Sequence, residues 1–255
     1  MVNMPTTSAL IGYTGFVGGN LRNQHPFEYL YNSKNIGEIQ GKQFELAVCA
    51  GASGIKWLAN KEPKNDLIAI EKLIENLKTI KTKKFILIST IDVYSSTIET
   101  NELSTIDKDK LAPYGKHRRM LEEFVETNFD SLIVRLPGLF GTGLKKNIIY
   151  DLIHKSYAFV NPKSTLQFYY LQNLWKDITK AMENHLKIVN LVSEPIIIAD
   201  IAKNVFHIDL PSKDGDLPAN YDIYSQYANL WSNSKHYLYS KESVLDDLQN
   251  FIKTT

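Results

Sequence analysis

The chain has 255 residues, a formal net charge of +1 at pH 7 and a single cysteine, Cys49, with 44% hydrophobic and 22% charged residues. That length buries a large core and fits one big α/β domain, or one domain with a lobe, and the near-zero charge leaves no field to draw in nucleic acid or an anionic membrane surface. One cysteine excludes an internal disulfide and a thiolate metal cluster, the six histidines include no close pair at ligand spacing, and no apolar run approaches the roughly 18 residues of a membrane span. No basic stretch followed by a long apolar one opens the chain, so the expected compartment is the cytoplasm.

Residues 8–18 read S-A-L-I-G-Y-T-G-F-V-G. Ala9, Leu10 and Ile11 suit a buried strand, which breaks at Gly12; glycine returns at Gly15 and Gly18 as a short helix begins and runs through Leu21. Glycines at a strand-to-helix junction let the chain turn tightly and let phosphate approach main-chain N–H groups at the positive end of a helix. The natural guest is a dinucleotide pyrophosphate. The spacing is G-x-x-G-x-x-G, with Thr14 where the commoner G-x-G-x-x-G has its middle glycine, and such turns also occur where nothing binds. Residues 27–31 read as a second strand that ends at Asn32-Ser33-Lys34. About 20 residues beyond the first glycine, an NAD site presents an acid to the ribose hydroxyls. A hydroxyl, an amide and an ammonium suit a 2′-phosphate better, which leans towards NADP over NAD; the alternative is a polar loop that simply follows a strand.

A third strand over 46–49 runs into Ala50-Gly51-Ala52-Ser53, small residues against which an adenine or ribose can lie. Asp66 reads as the N-cap of a long helix that carries Leu67, Ile70, Leu73, Ile74, Leu77 and Ile80 on one face. A buried strand over 85–88 leads into Ser89-Thr90-Ile91-Asp92-Val93-Tyr94. Pro113-Tyr114-Gly115-Lys116-His117-Arg118 then opens a helix with Met120, Leu121, Phe124 and Val125 inward, and Tyr114 and Arg118, at i and i+4, share one side of it. A strand over 131–136 is followed by Pro137-Gly138-Leu139-Phe140-Gly141. This alternation predicts right-handed crossovers and a doubly wound parallel sheet with ligands beyond the carboxyl ends of its strands, where Gly12, Ala50, Thr90 and Gly138 fall. A helix over 171–182, a last strand over 187–192, a loop marked by Pro211, Gly215 and Pro218, and a tail helix striped with Val244, Leu245, Leu248, Phe251 and Ile252 complete the chain.

The motifs G-Y-T-G-F-V-G, S-T-I-D-V-Y, Y-G-K-H-R and R-L-P-G-L-F-G, in this order and spacing, resemble those of the extended short-chain dehydrogenases/reductases, in particular the nucleotide-sugar epimerase/dehydratase group. The likeness continues through Gln167-Phe168-Tyr169-Tyr170 and residues 190–195. It implies an α/β fold of Rossmann type with a small C-terminal substrate lobe: a dinucleotide-binding core over 1–143, completed by about 165–192, and a lobe of 144–164 and 193–255. It implies an NADP or NAD cofactor held by the turn from Gly12 through Thr14, Gly15, Phe16 and Val17 to Gly18, by Asn32, Ser33 and Lys34, by Ala50, Gly51 and Ala52, and by Ser89, Tyr114, Arg118, Pro137, Gly138 and Leu139.

The same resemblance places a catalytic Thr at Thr90, holding the reacting oxygen, and the acid/base at Tyr114. The family's lysine four residues on, which favours phenolate and binds the nicotinamide ribose, is Arg118 here, a permanent cation with a planar donor fork. Pairing of Arg118 with Glu122 on a helix face is the alternative for that residue. Dehydratases of the group carry an Asp-Glu pair where this chain has Ile91-Asp92, so Asp92 is a candidate base or substrate contact, or a turn residue. Lys145, Lys146 and Asn147 fall where the nucleotide-sugar site begins, and paired lysines suit a diphosphate, with a solvated loop as the alternative. Gln167 is a further substrate contact, and Gly138 stands where members usually have Asn. The leading expectation is an NAD(P)-dependent epimerase or keto-reductase of a nucleotide-linked sugar, without nucleic acid, membrane or metal, and as a homodimer. The alternatives are a dinucleotide-binding sensor or interaction protein and a dehydratase using Asp92.

Overall fold

The computed structural model describes residues 7–158, 160–212 and 217–253; Gly215 of the expected loop lies outside them. Six strands, β1 (Ser8–Ile11), β2 (Tyr29–Tyr31), β3 (Gln43–Cys49), β4 (Lys81–Thr90), β5 (Ser131–Leu136) and β6 (Ile188–Asn190), form one sheet in the order 2-1-3-4-5-6. β1 runs parallel to both β2 and β3, and β3 to β4, in a doubly wound parallel sheet. Ala9, Leu10, Ala47, Val48, Phe85, Ile86, Leu132 and Ile133 have no exposed surface. Continuous apolar runs of this kind belong to strands covered on both faces. Because the chain leaves β1 first for β2 on one side and then for β3 on the other, the switch point lies beyond Ile11, where an open α/β sheet places its ligand.

The helices are α1 (Phe16–Gln24), α2 (Lys56–Lys61), α3 (Pro63–Leu77), α4 (Pro113–Asn128), α5 (Ile148–Ile153), α6 (Leu174–Glu183), α7 (Ile198–Phe206) and α8 (Lys241–Lys253). α3 begins at Pro63 and not after Asp66, because proline's fixed φ suits the first helical position; Asp66 then falls in the first turn. Ile80 lies beyond the end of α3 but is buried all the same. Among the described residues, no helix is long and apolar enough to cross a membrane, and no three metal-ligating side chains are grouped.

The chain divides into two compact units. The first takes the residues up to Ser95, with Thr105–Arg135 and Asn173–Val189. Its core joins Ile11, Ile70, Leu73, Leu77, Leu121, Val125 and Ile133. Cys49 belongs to that core, and burial pushes its thiol up to about 11. The second takes Ser96–Ser104, Leu136–Gln172 and everything from Asn190 on. Its division from the first falls at Leu136 and not at 143, because Gly138–Phe140 pairs with Phe168–Tyr170, within the second unit, and not with the large sheet. The second core holds Phe140, Ile149, Phe168 and Ile201 together with Val244, Leu248 and Phe251 of the α8 stripe, while Leu245 and Ile252 pack at its edge.

Candidate active site

The glycine turn is built so that side chains cannot enter it. Gly12 has φ +85°, and a Cβ there would lie 2.3 Å from the Ala50 carbonyl oxygen; a Cβ on Gly18 would lie 2.1 Å from the Gly12 carbonyl oxygen. The Gly12 N–H donates to Tyr31 O at 2.7 Å, tying the turn to the end of β2. Gly15 caps α1 without any side-chain hydrogen bond, and the first turn, with Phe16 and Val17, carries no acid. Its N–H groups and the positive helix end are therefore left for an anion, with Thr14 exposed beside them. After β2, Asn35 orders the polar loop by accepting from the Asn32 N–H and donating to Leu30 O, while the Asn32 carboxamide accepts from the Lys34 N–H. Ser33 and Lys34 are exposed on that loop.

The segment from Ala50 to Ser53 joins this turn to a second cluster. Its start abuts Gly12, and Gly51 fits so closely against Ile11 that a Cβ would lie 3.1 Å from the Ile11 side chain. At its end, the Ser53 carbonyl accepts from Arg118 Nη2 at 2.5 Å. Arg118 is buried, its guanidinium lies 4.0 Å from the centre of the Tyr114 ring, and its two terminal nitrogens form a fork with Asp66 at 2.5 and 2.9 Å. Asp66 also contacts His117 Nδ1 at 2.7 Å. Burial pushes the Asp66 carboxyl up, but the hydrogen bonds and charges of Arg118 and His117 outweigh it and hold the carboxyl below its usual range. The partner of Arg118 is thus Asp66 and not Glu122.

Tyr114 reaches its place because α4 starts at Pro113 with the Tyr114 N–H bonded to the Asn60 side chain at 2.9 Å. The following Gly115 packs so tightly that a Cβ would sit 2.1 Å from the Asp92 carbonyl oxygen. Burial raises the Tyr114 phenol above its ordinary value; Arg118 opposes this, Asp92 adds to it, and hydrogen bonding with Thr90 and the charge of Lys56 oppose it. The Thr90 hydroxyl accepts from the Asp92 N–H at 3.1 Å, and the Asp92 carboxylate is ion-paired with Lys56 Nζ at 2.6 Å. Thr90, Asp92, Tyr114 and Arg118 are therefore brought together, along with two residues that sequence reasoning missed as site residues, Asp66 and Lys56. Lys56 opens the short helix α2 just after an exposed Gly/Ser stretch, with no periodicity to mark it.

The Ser89 side chain points into a different network. Its hydroxyl donates to Glu122 at 2.6 Å, and Glu122 also takes the Arg135 guanidinium at 2.9 and 2.7 Å. Arg135 in turn donates to the Tyr94 hydroxyl at 2.8 Å. The Ser89 proton is thus committed to a buried network behind the Thr90 turn.

Within the second unit, three expected contacts are also engaged locally. Asn147 caps α5 by accepting from the Tyr150 N–H and donates to Leu139 O. Gln167 is buried, donates to Ser193 O and Ile223 O and accepts from the Ile223 N–H, so both amide protons are committed within the unit. Lys146 pairs with Asp151 at 2.7 Å, whereas Lys145 has no ionic partner among the described residues. Gly138, between Pro137 and Leu139, would place a Cβ 3.0 Å from Gln167 O, so a larger residue there would require its neighbours to shift.

No protein-family model and no curated protein sequence matches the chain. Solved structures do. A UDP-glucose 4-epimerase from Thermotoga maritima with UDP-glucose superimposes with a TM-score of 0.73 at 14% identity, over 97% of this chain and 98% of that one. A dTDP-4-dehydrorhamnose reductase from Bacillus anthracis in complex with NADP gives 0.75 at 16%, over 98% of each chain. A UDP-N-acetylglucosamine 4-epimerase from Methanobrevibacter ruminantium in complex with UDP-N-acetylmuramic acid gives 0.68 at 15%, over 97% of each. The fold is therefore that of the nucleotide-sugar epimerases and reductases; at these identities, the chemistry has to be argued from the residues.

Proposed function

We propose that the chain is an NAD(P)-dependent epimerase or keto-reductase acting on a nucleotide-linked sugar. The observation that carries this reading is a buried tyrosine, Tyr114, stacked on a fixed cation and packed through Gly115 against the turn of Thr90 and Asp92, joined through residues 50–53 to a glycine cradle at the switch point of the sheet. The neighbouring structures with UDP-glucose and with NADP support the same substrate and cofactor classes.

The residues fit a nicotinamide dinucleotide, since the cradle of Gly12 and Gly18 has room only for hydrogen and opens on an uncapped helix start. Gly12, Gly15 and Gly18 with the first turn of α1 would hold its pyrophosphate, and Ser33 and Lys34 its adenosine ribose, with the ammonium favouring the 2′-phosphate of NADP. When bound, the cofactor takes or gives the hydride at the sugar carbon. Tyr114 takes the proton from the sugar oxygen as it is oxidised and returns it on reduction, and Thr90 holds that oxygen. Arg118 fixes the ring that does so. On the substrate side, Lys145 is the proposed contact for the nucleotide diphosphate, and assembly is proposed as a homodimer. Asp92 is held by Lys56 at 2.6 Å and has Ile91 beside it in place of a second acid, which argues against dehydration.

The test is native mass spectrometry of the purified chain for a co-purified dinucleotide, followed by a panel of UDP- and dTDP-linked sugars. Tyr114→Phe is expected to lower conversion at least 100-fold and to leave dinucleotide binding intact, in line with the range of about 10²–10⁴ for a general acid/base. Dinucleotide binding with no conversion across the panel would instead support a binding protein, a reading that the closed fork of Arg118 also favours.

A further inference from the structure

Two cations bear on the Tyr114 phenol, and they are held differently. Every N–H of the two terminal nitrogens of Arg118 is engaged. Nη1 donates to Asp66 and to Tyr114 O at 3.3 Å, and Nη2 donates to Asp66 and to Ser53 O, while Nε is buried without a partner. A guanidinium so placed can neither turn to a ligand nor lose a proton. It fixes the ring, and its charge is shared with a carboxylate. Lys56, the first residue of α2, has a side chain 45% exposed, on a stem of four rotatable carbons, and its ammonium rests on Asp92. Asp92 is itself anchored, its N–H on Thr90 and its carbonyl against Gly115, one residue from Tyr114.

We propose that Lys56 and Asp92 form an adjustable ion pair at the rim of this site, with Lys56 the positioning residue that helps Tyr114 to release its proton and Arg118 a fixed support for the ring. This rests on the acid/base role given to Tyr114 above. The charged groups that bear on the phenol are Arg118 from α4 itself, Asp92 from the turn after β4, and Lys56 from α2, which is tied to that turn by its pair with Asp92; Asp66 of α3 reaches it only through Arg118. A positive charge favours phenolate and a negative one disfavours it. Lys56 and Asp92 therefore pull in opposite directions, and a shift of the half-exposed ammonium towards the phenol tips the balance as negative charge develops there.

The experiment uses the full chain without added cofactor, with its tyrosines replaced by 3-fluorotyrosine and followed by fluorine NMR against pH, the Tyr114 signal being the one lost in Tyr114→Phe. Lys56→Gln is expected to move the Tyr114 midpoint to higher pH, Lys56→Arg to leave it near wild type, and Asp92→Asn to move it lower. In the conversion assay, Lys56→Gln is expected to slow kcat/KM at neutral pH by about tenfold, the rate equivalent of one pH unit, with recovery as the pH rises and restoration by Lys56→Arg. An unmoved midpoint in Lys56→Gln overturns the proposal, as does Lys56→Arg behaving like Lys56→Gln, or a Tyr114 signal that stays protonated in every variant. The NMR readout needs no turnover, so a sugar panel without conversion would defeat the enzymatic reading while the midpoints still judge Lys56.

Discussion

Two buried arginines flank the turn that carries Thr90, and they are built alike up to one point. Arg135 stacks 4.8 Å from the Tyr94 ring and Arg118 stacks 4.0 Å from the Tyr114 ring; each faces a carboxylate, Glu122 for the first and Asp66 for the second. Behind the turn, all three nitrogens of Arg135 donate to a partner, and Glu122, with no exposed surface, also takes Ser89 and Arg119. In front of it, Arg118 keeps an orphaned Nε, and the tyrosine it supports is next to an ion pair that reaches solvent. A closed network of this kind holds a backbone turn in one place. On the proposal made for Lys56, an exposed pair leaves the tyrosine's proton affinity adjustable. The same ingredients thus serve as frame on one side and as candidate chemistry on the other.

The largest effect should come from breaking the frame. Glu122→Leu strands the Arg135 charge and is expected to cost about 3–5 kcal/mol in urea unfolding, whereas Glu122→Leu with Arg135→Met should recover most of that loss, since a well-packed apolar pair replaces a buried ion pair at little cost. A single variant near wild-type stability would remove the distinction between the two networks. Asp66→Asn should cost less, about 2 kcal/mol at pH 7, the worth of hydrogen bonds to a charged group. Its pH dependence follows from the carboxyl's position below its usual range. The stabilisation is fully present above the unfolded carboxyl's value of about 3.9 and is lost as the pH falls from there through the lower folded value. The urea midpoint of Asp66→Asn should therefore fall less than that of wild type between pH 5 and the acid limit. The smallest effect sets the scale. Asp130 pairs with Lys84 and Lys187 but is 55% exposed, and Asp130→Ala should change stability by no more than about 1 kcal/mol, less in high salt.

Much of this molecule is legible residue by residue. The run 131–136 is a strand end to end, and Tyr114 and Arg118 do share one side of α4, close enough to stack. The cap at Asn147 carries its own signal, an Asn just ahead of an apolar helical run. Gln167 carried none, because its partners Ser193 and Ile223 lie 26 and 56 residues further along the chain. The same holds for Ser89 with Glu122, Arg118 with Asp66 and Lys56 with Asp92, at separations of 33, 52 and 36 residues.

By itself, then, the amino-acid order determined the alternation of strands and helices, the glycines that no larger residue can replace at Gly12 and Gly18, and the set of polar residues delivered to the strand ends. It could do so because these depend on backbone dihedrals and on periods of two and 3.6 residues, which neighbouring residues settle among themselves. Only the tertiary structure decided which carboxylate each arginine meets, and so which polar residues are bound up in the frame and which still face a ligand. Those pairings depend on which strands lie side by side and on how each helix crosses them, a distance in space that no spacing along the chain encodes.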